Sequence, residues 1–150
     1  MKNLQKGLSL IEVLFSLAIT GVILTIIVNY YYSQNKVYLN VSKAATQIQH
    51  LANVSYEWQA AQNQTDFTGI SISTLQKAGL LSALDNYSQI DPWGGVISLS
   101  VDSSNASYVL ITLPQIPQDA CNNLRSRMAS TAHSQASSSE CSTGSYYISI

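Results

Sequence analysis

The sequence predicts an α+β protein: a long N-terminal α-helix, its first half transmembrane, packed on a small antiparallel β-sheet head. Three observations lead there. An apolar run from Leu8 to about Val28 is broken by a single charge, Glu12. Apolar residues then recur at helical spacing as far as Trp58. Beyond residue 63 the pattern changes to short alternating runs separated by turn residues.

The run from Leu8 to Val28 has 21 residues. As a helix it is about 31 Å long, enough to cross the hydrocarbon core of a bilayer. A core helix of a soluble protein would show a polar face every 3.6 residues, and this run shows none. Lys2 and Lys6 precede it, and the next lysine is Lys36. That bias predicts a cytoplasmic N-terminus with the rest of the chain outside. A cleaved secretory signal would share the basic start and the apolar run. However, no small-x-small site ends the run, and Tyr30, Tyr31 and Tyr32 follow it instead. Aromatic rings of this kind suit a membrane–water boundary, so the segment is expected to be retained.

Glu12 is the anomaly. A carboxylate inside an apolar span costs about 2.5–3.5 kcal/mol on insertion scales. One reading is a glutamate that snorkels to the cytoplasmic face, since it lies four residues into the run. The other is a group with a partner. Ser16 and Thr20 follow at i+4 and i+8, so the three share one stripe of the helix. Gly21 and Thr25 lie close to that stripe. Small and polar residues in a stripe are how membrane helices approach one another.

The segment Gly7-Leu8-Ser9-Leu10-Ile11-Glu12-Val13 resembles the processing site of type IV pilins and the related pseudopilins. The resemblance implies a peptidase cut on the cytoplasmic side after Gly7. It implies a methylated new N-terminus at Leu8 and an assembly role for Glu12, five residues into the processed chain. The helix stripe of Glu12, Ser16, Thr20 and Gly21 would then face other subunits. The leader, residues 1–7, is short as in the type IVa branch, while Leu8 is more like type IVb. Cutting there removes both N-terminal lysines and leaves 5 basic and 8 acidic side chains, a net −3 by count.

After the tyrosines, Val37, Val41, Ala44, Ile48, Leu51, Ser55 and Trp58 recur at spacings of four and three. This is one amphipathic stripe. No Pro or Gly interrupts from Val22 to Asp66, so one helix from Leu8 to about Gln62 is expected, roughly 80 Å long. Its assembly half is 8–32 and its amphipathic half 33–62. A coiled coil would use the same stripe, but Ala44 and Trp58 are poor heptad-core residues. Packing onto a head formed by 63–150 is the better expectation.

Within that head, Asn63–Gly69 reads as a loop. Ile72–Leu84 reads as a short helix capped by Ser73 or Thr74, with Leu75, Ala78, Leu81 and Leu84 inside. Asp91-Pro92-Trp93-Gly94-Gly95 is a turn. Val96–Val101 and Tyr108–Leu113 read as strands around a polar hairpin loop. Pro117–Met128 reads as a helix beginning at a proline. Ser130–Ser145 reads as a loop, with seven serines in 16 residues, and Tyr146–Ile150 as a terminal strand. Cys121 and Cys141 flank the serine-rich loop at a spacing that fits no zinc site. Outside the cytoplasm a disulfide is the default. The passages Leu113–Leu124 and Asp91–Gly95 are similar to segments of type IVb pilins, the second also to major pseudopilins.

Other chemistry finds little support. With 7 basic and 8 acidic residues and 10% charged, the chain carries no field for nucleic acid. Two Cys and two His, His50 and His133, make a metal enzyme improbable, and neither histidine has ligands at metal spacing. Asp85, Asp91 and Asp102 read as solvated turn residues rather than a calcium site. Arg125 and Arg127 are accounted for by the helix end they stand on. No cofactor and no catalytic group are expected. The expectation is therefore a structural subunit of a type IV pilus. It starts as an inner-membrane precursor, meets the prepilin peptidase, and joins other pilin subunits in an extracellular fibre. The alternatives are a minor pseudopilin of a type II secretion system and, from another class, a membrane-anchored periplasmic binding module.

Overall fold

The computed structural model describes residues 10–84, 86–132, 139–142 and 144–150. The chain divides into two compact units, the first ending at Val37 and the second running from Tyr38 to Ile150. The fold is α+β, with a long N-terminal apolar helix and a small four-stranded antiparallel sheet, consistent with a pilin-like fold.

Helix α1, Leu10–Ala61, contributes to both units. In the first unit every residue from Leu10 to Lys36 is exposed, with Leu10 at 80% and Phe15 at 70%. From Val41 onward the same helix is amphipathic. Ala44, Ile48, Leu51 and Ser55 are fully buried, and Val41 and Trp58 nearly so. The buried face is wider than the expected stripe, because Ala45, Gln47, Ala52 and Val54 join it. Ser55 is buried without loss because its hydroxyl donates to the Leu51 carbonyl at 2.7 Å.

The loop after α1 is tied down by Phe67. Its ring is buried and meets Tyr56 edge-on at 5.5 Å, and its N–H donates to the Ala106 carbonyl at 2.8 Å. Helix α2 is Ile72–Lys77, shorter than expected and capped by Ser71 rather than by Ser73 or Thr74. Ser71 Oγ accepts from Thr74 N–H at 3.2 Å, and Thr74 Oγ1 accepts from Ser71 N–H at 2.8 Å, which is a capping box. Gly79 stops the helix: at φ +75° its N–H reaches the Gln76 carbonyl, and Leu80 N–H reaches that of Leu75. This paired closure needs a left-handed residue, which glycine supplies at least cost. Leu84 therefore lies outside the helix and is 92% exposed, not inside as expected.

Four strands follow: β1 (Ser98–Val101), β2 (Val109–Pro114), β3 (Ser139–Ser142) and β4 (Ser145–Ser149). Their order in the sheet is β1-β2-β4-β3, all antiparallel. The C-terminal strand is thus internal. Leu99 opposes Ile111, and Ile111 opposes Ile148, so one face carries a continuous apolar row. Leu113 and Tyr146 extend it. All five are buried. Helix α3, Gln118–Met128, packs on β3 and β4 through Ala120, Cys121, Leu124 and Met128. Strand β3 was not expected. It lies in the serine-rich stretch and has no apolar alternation; pairing with β4 makes it a strand, with Cys141 opposite Tyr146.

Asp91 and Asp102 are not solvated. They are 3% and 9% exposed. Asp102 is buried because donors surround it. Its Oδ2 accepts from Ser149 Oγ at 2.5 Å, and its Oδ1 from the Ser104 N–H and Oγ at 2.7 and 2.6 Å. Those bonds, led by the Ser104 and Ser149 hydroxyls, hold its carboxyl below the ordinary value of 3.8. The residue ties the β1–β2 loop to the C-terminal strand. Asp85 and His133 lie outside the described residues.

Gly95 has a steric reason to be glycine. A β-carbon there would stand 2.5 Å from Asp91 Oδ2, 2.6 Å from the Pro114 carbonyl oxygen and 2.7 Å from Pro114 Cγ. Gly95→Ala is expected to lower the stability of the full chain in detergent by about 1–3 kcal/mol, as overpacking does. Thermal and chemical unfolding followed by circular dichroism check this, and an unchanged midpoint would refute the close approach. Cys121 and Cys141 form a disulfide across 20 residues of sequence. Cys121→Ser is expected to cost about 3 kcal/mol in the chain-entropy picture. The same melts test it against a reduced wild type, which should fall to the variant's midpoint.

Candidate functional site

The first unit carries the candidate site. On α1, Glu12, Ser16 and Thr20 lie along one side of a shallow groove whose other wall is Ile11, Phe15 and Ile19. The sequence spacing of four places these three side chains one above another, and the helix keeps them there. Gly21 is outside the groove lining. A β-carbon on it would meet nothing within 4 Å, so in the single chain no packing demands a glycine there.

The threonine hydroxyls in and near the groove are satisfied within the helix. Thr20 Oγ1 donates to the Ser16 carbonyl, and Thr25 Oγ1 to the Gly21 carbonyl, both at 2.8 Å. A hydroxyl bonded to its own helix leaves no unmade donor in a medium without water. The threonines therefore add little polarity to the face, and Glu12 remains its dominant polar group. The most apolar window of α1 has a mean hydropathy of 2.5, and none of it is buried within the chain. By length and composition the helix can cross a membrane.

Tyr30, Tyr31 and Tyr32 are exposed where the apolar stretch ends, and the Lys36 ammonium lies 4.6 Å from the Tyr32 ring centroid. A cation held over an aromatic face at this point suits the boundary between hydrocarbon and water. The expected processing residues Gly7 and Leu8 lie outside the described residues, as does the whole 1–7 leader.

In the second unit, His50 is an exposed residue on α1. Arg125 and Arg127 are exposed in the last turn of α3, where cations complement the helix end. The Arg127 guanidinium also lies 6.0 Å from the Tyr38 ring. Among the described residues, no three or more His, Cys, Asp or Glu side chains are grouped so as to hold a metal ion. The Tyr146 side chain is fully buried, with its hydroxyl 3.0 Å from Ser139 Oγ. Burial pushes the phenol above its ordinary value. It packs under the disulfide strand rather than serving as an accessible acid.

One buried polar side chain that the sequence did not single out is that of Gln47. Gln47 sits on the apolar side of α1, and its Nε2 donates to the carbonyls of Tyr87 and Ile90, the latter at 2.9 Å. It fastens the 86–90 segment to the helix. A glutamine among alternating polar residues gives no sign of this in sequence. Asp91 was legible as a turn residue, but its burial was not.

No curated protein matches the chain. Residues 2–28 match the family model described as the prokaryotic N-terminal methylation motif. That stretch contains Gly7, Leu8 and the groove of Glu12, Ser16 and Thr20. The chain therefore opens with the methylation motif characteristic of type IV prepilin-like proteins, a structural pilin-type motif that together with the apolar helix points to a membrane-anchored precursor.

Proposed function

We propose that this chain is a structural, non-enzymatic subunit of a type IV pilus. The prepilin peptidase cuts after Gly7 on the cytoplasmic side of the inner membrane, and the new amine at Leu8 is methylated. The processed helix then leaves the bilayer and packs with the helices of other subunits, which places the head on an extracellular fibre. The observation that carries this reading is the pairing of a fully exposed apolar helix with one carboxylate, inside the methylation motif.

Each part has a physical reason. Lys2 and Lys6 hold the precursor in the membrane, because moving them through hydrocarbon is costly. Their removal leaves a helix whose main polar group is Glu12. In a fibre core the carboxylate of Glu12 meets the α-amine of a neighbouring Leu8. That pair offsets the burial cost of both charges and fixes the stagger between subunits. Ser16, Thr20 and Gly21 keep the approaching helices close, since small residues allow short interaxial distances. A membrane-anchored binding module needs no such carboxylate, because an anchor has no register to keep.

Glu12→Ala is expected to leave membrane insertion intact while cutting surface filaments at least about tenfold. An assembly contact worth about 1.4 kcal/mol per subunit already gives that factor. Electron microscopy of cells and membrane fractionation read the two effects separately, and normal filaments from the variant would remove the register role. The processing step is tested by mass spectrometry on filaments sheared from the cell surface. A peptide beginning at methylated Leu8 is expected. A chain that remains in the membrane fraction with residues 1–7 attached overturns the pilus reading. Processed chain present in membranes and absent from sheared fibres favours the minor pseudopilin instead.

A further inference from the structure

Asp91 opens the turn that leads the chain from the 86–90 segment into β1. Its N–H donates to the Gly95 carbonyl at 2.8 Å, and its own carbonyl accepts from Gly94 N–H at 3.0 Å. Its Oδ1 accepts from the N–H groups of Trp93 and Gly95 at 2.8 and 2.9 Å. Four hydrogen bonds of the turn thus pass through one residue. The second carboxyl oxygen, Oδ2, is buried and has no hydrogen-bond partner among the described residues.

A carboxylate shares its charge between two oxygens. Ionised Asp91 would leave one of them away from water and away from any donor, which is costly. The neighbourhood adds to that cost. Because Gly95 lacks a β-carbon, Oδ2 and the Pro114 carbonyl oxygen both close in on the same face of the glycine. A carbonyl oxygen beside a carboxylate repels it; beside a carboxylic acid it is an acceptor. Among the described residues, no charged group contributes to the shift at Asp91. β2 ends there on Pro114, α1 contributes Gln47 through the Ile90 carbonyl, and the turn itself contributes Trp93. None of these is charged. Burial accordingly drives the Asp91 carboxyl above its ordinary value of 3.8, and the three N–H groups of Gly95, Trp93 and Gly94 pull it back only in part.

We propose that the Asp91 turn is an acid-closed latch: Asp91 is protonated in the closed turn, with the Pro114 carbonyl the acceptor at hand, and its ionisation loosens the segment 86–96. The folded value lies above the unfolded one. The latch is therefore complete below the ordinary carboxylate range and is lost as pH rises through the folded value. What it holds is a surface. Ile90 and Val96 are bridged to each other just outside the turn, 40% and 72% exposed. The exposure of this apolar pair thus depends on the acidity of the medium.

The test uses the full chain in detergent micelles. Carbon-13 NMR of the aspartate side-chain carboxyls gives each titration midpoint in the wild type, so the result does not depend on a variant folding. Asp91 is expected to titrate above Asp102 and above 3.8. The Gly95 amide should exchange with solvent faster through that same midpoint, after correction for the intrinsic effect of pH. In Asp91→Asn, which cannot ionise, corrected Gly95 protection should stay flat. A midpoint at or below the ordinary value overturns the latch. So does Gly95 protection that ignores the midpoint, or that keeps its pH dependence in the asparagine variant.

Discussion

A helix that is apolar around its whole circumference needs cover that this chain does not itself supply. Between Leu10 and Lys36 no side chain of α1 is buried within the chain. Lipid or other protein must cover that surface, at about 25 cal/mol for each Å² of apolar area removed from water. The second half of the same helix solves the opposite problem. From Val41 to Trp58 its apolar side chains are covered by the chain's own head. One helix therefore works in two environments, and its composition changes near Lys36 for that reason.

The head is built with few charges and many short polar side chains, so its buried polar groups decide how firmly each segment is held. Asp102 and Asp91 show two outcomes of the same problem. Asp102 receives donors on both oxygens and is pulled below its ordinary value. Asp91 receives donors on one oxygen and is pushed above it. Burial alone does not predict a carboxylate's state; the supply of N–H and O–H groups does. Gln47 belongs to the same account. Its amide nitrogen holds the 86–90 carbonyls to α1, replacing backbone bonds that an irregular segment cannot make with a helix.

Much of this was legible in the sequence because periodicity survives folding. The stripe from Val41 to Trp58 is the buried face of α1, and the alternation of Ile97, Leu99 and Val109–Leu113 follows the sheet. What was not legible depended on partners distant in sequence. Strand β3 has no apolar pattern of its own; it exists because Cys141 lies opposite Tyr146 and is joined to Cys121 on α3. Helix α2 ends early because Gly79 takes a left-handed conformation, which outweighs the apolar spacing that continues to Leu84. The two aspartates read as solvated because turn sequences normally are, and tertiary cover reversed that. At the candidate site, the groove of Glu12, Ser16 and Thr20 could be drawn from spacing alone. The inward bonds of the threonines could not, since they depend on the rotamer each side chain takes on the helix.

The proposed assembly needs both halves of the N-terminal design, and neither would suffice. Apolar packing between helices is strong in sum but nearly indifferent to sliding, because one leucine surface resembles the next. A polymer held by that alone would have cohesion without a defined rise per subunit. A buried charge pair has the reverse character. Its net contribution to stability is small, since desolvation offsets most of the attraction, yet a misplaced partner leaves an uncompensated charge in hydrocarbon. Glu12 therefore acts by making the wrong registers costly more than by making the right one strong. The inward-bonded threonines fit that division, because further polar contacts along the same face would reward competing registers and blur the choice that a single carboxylate makes.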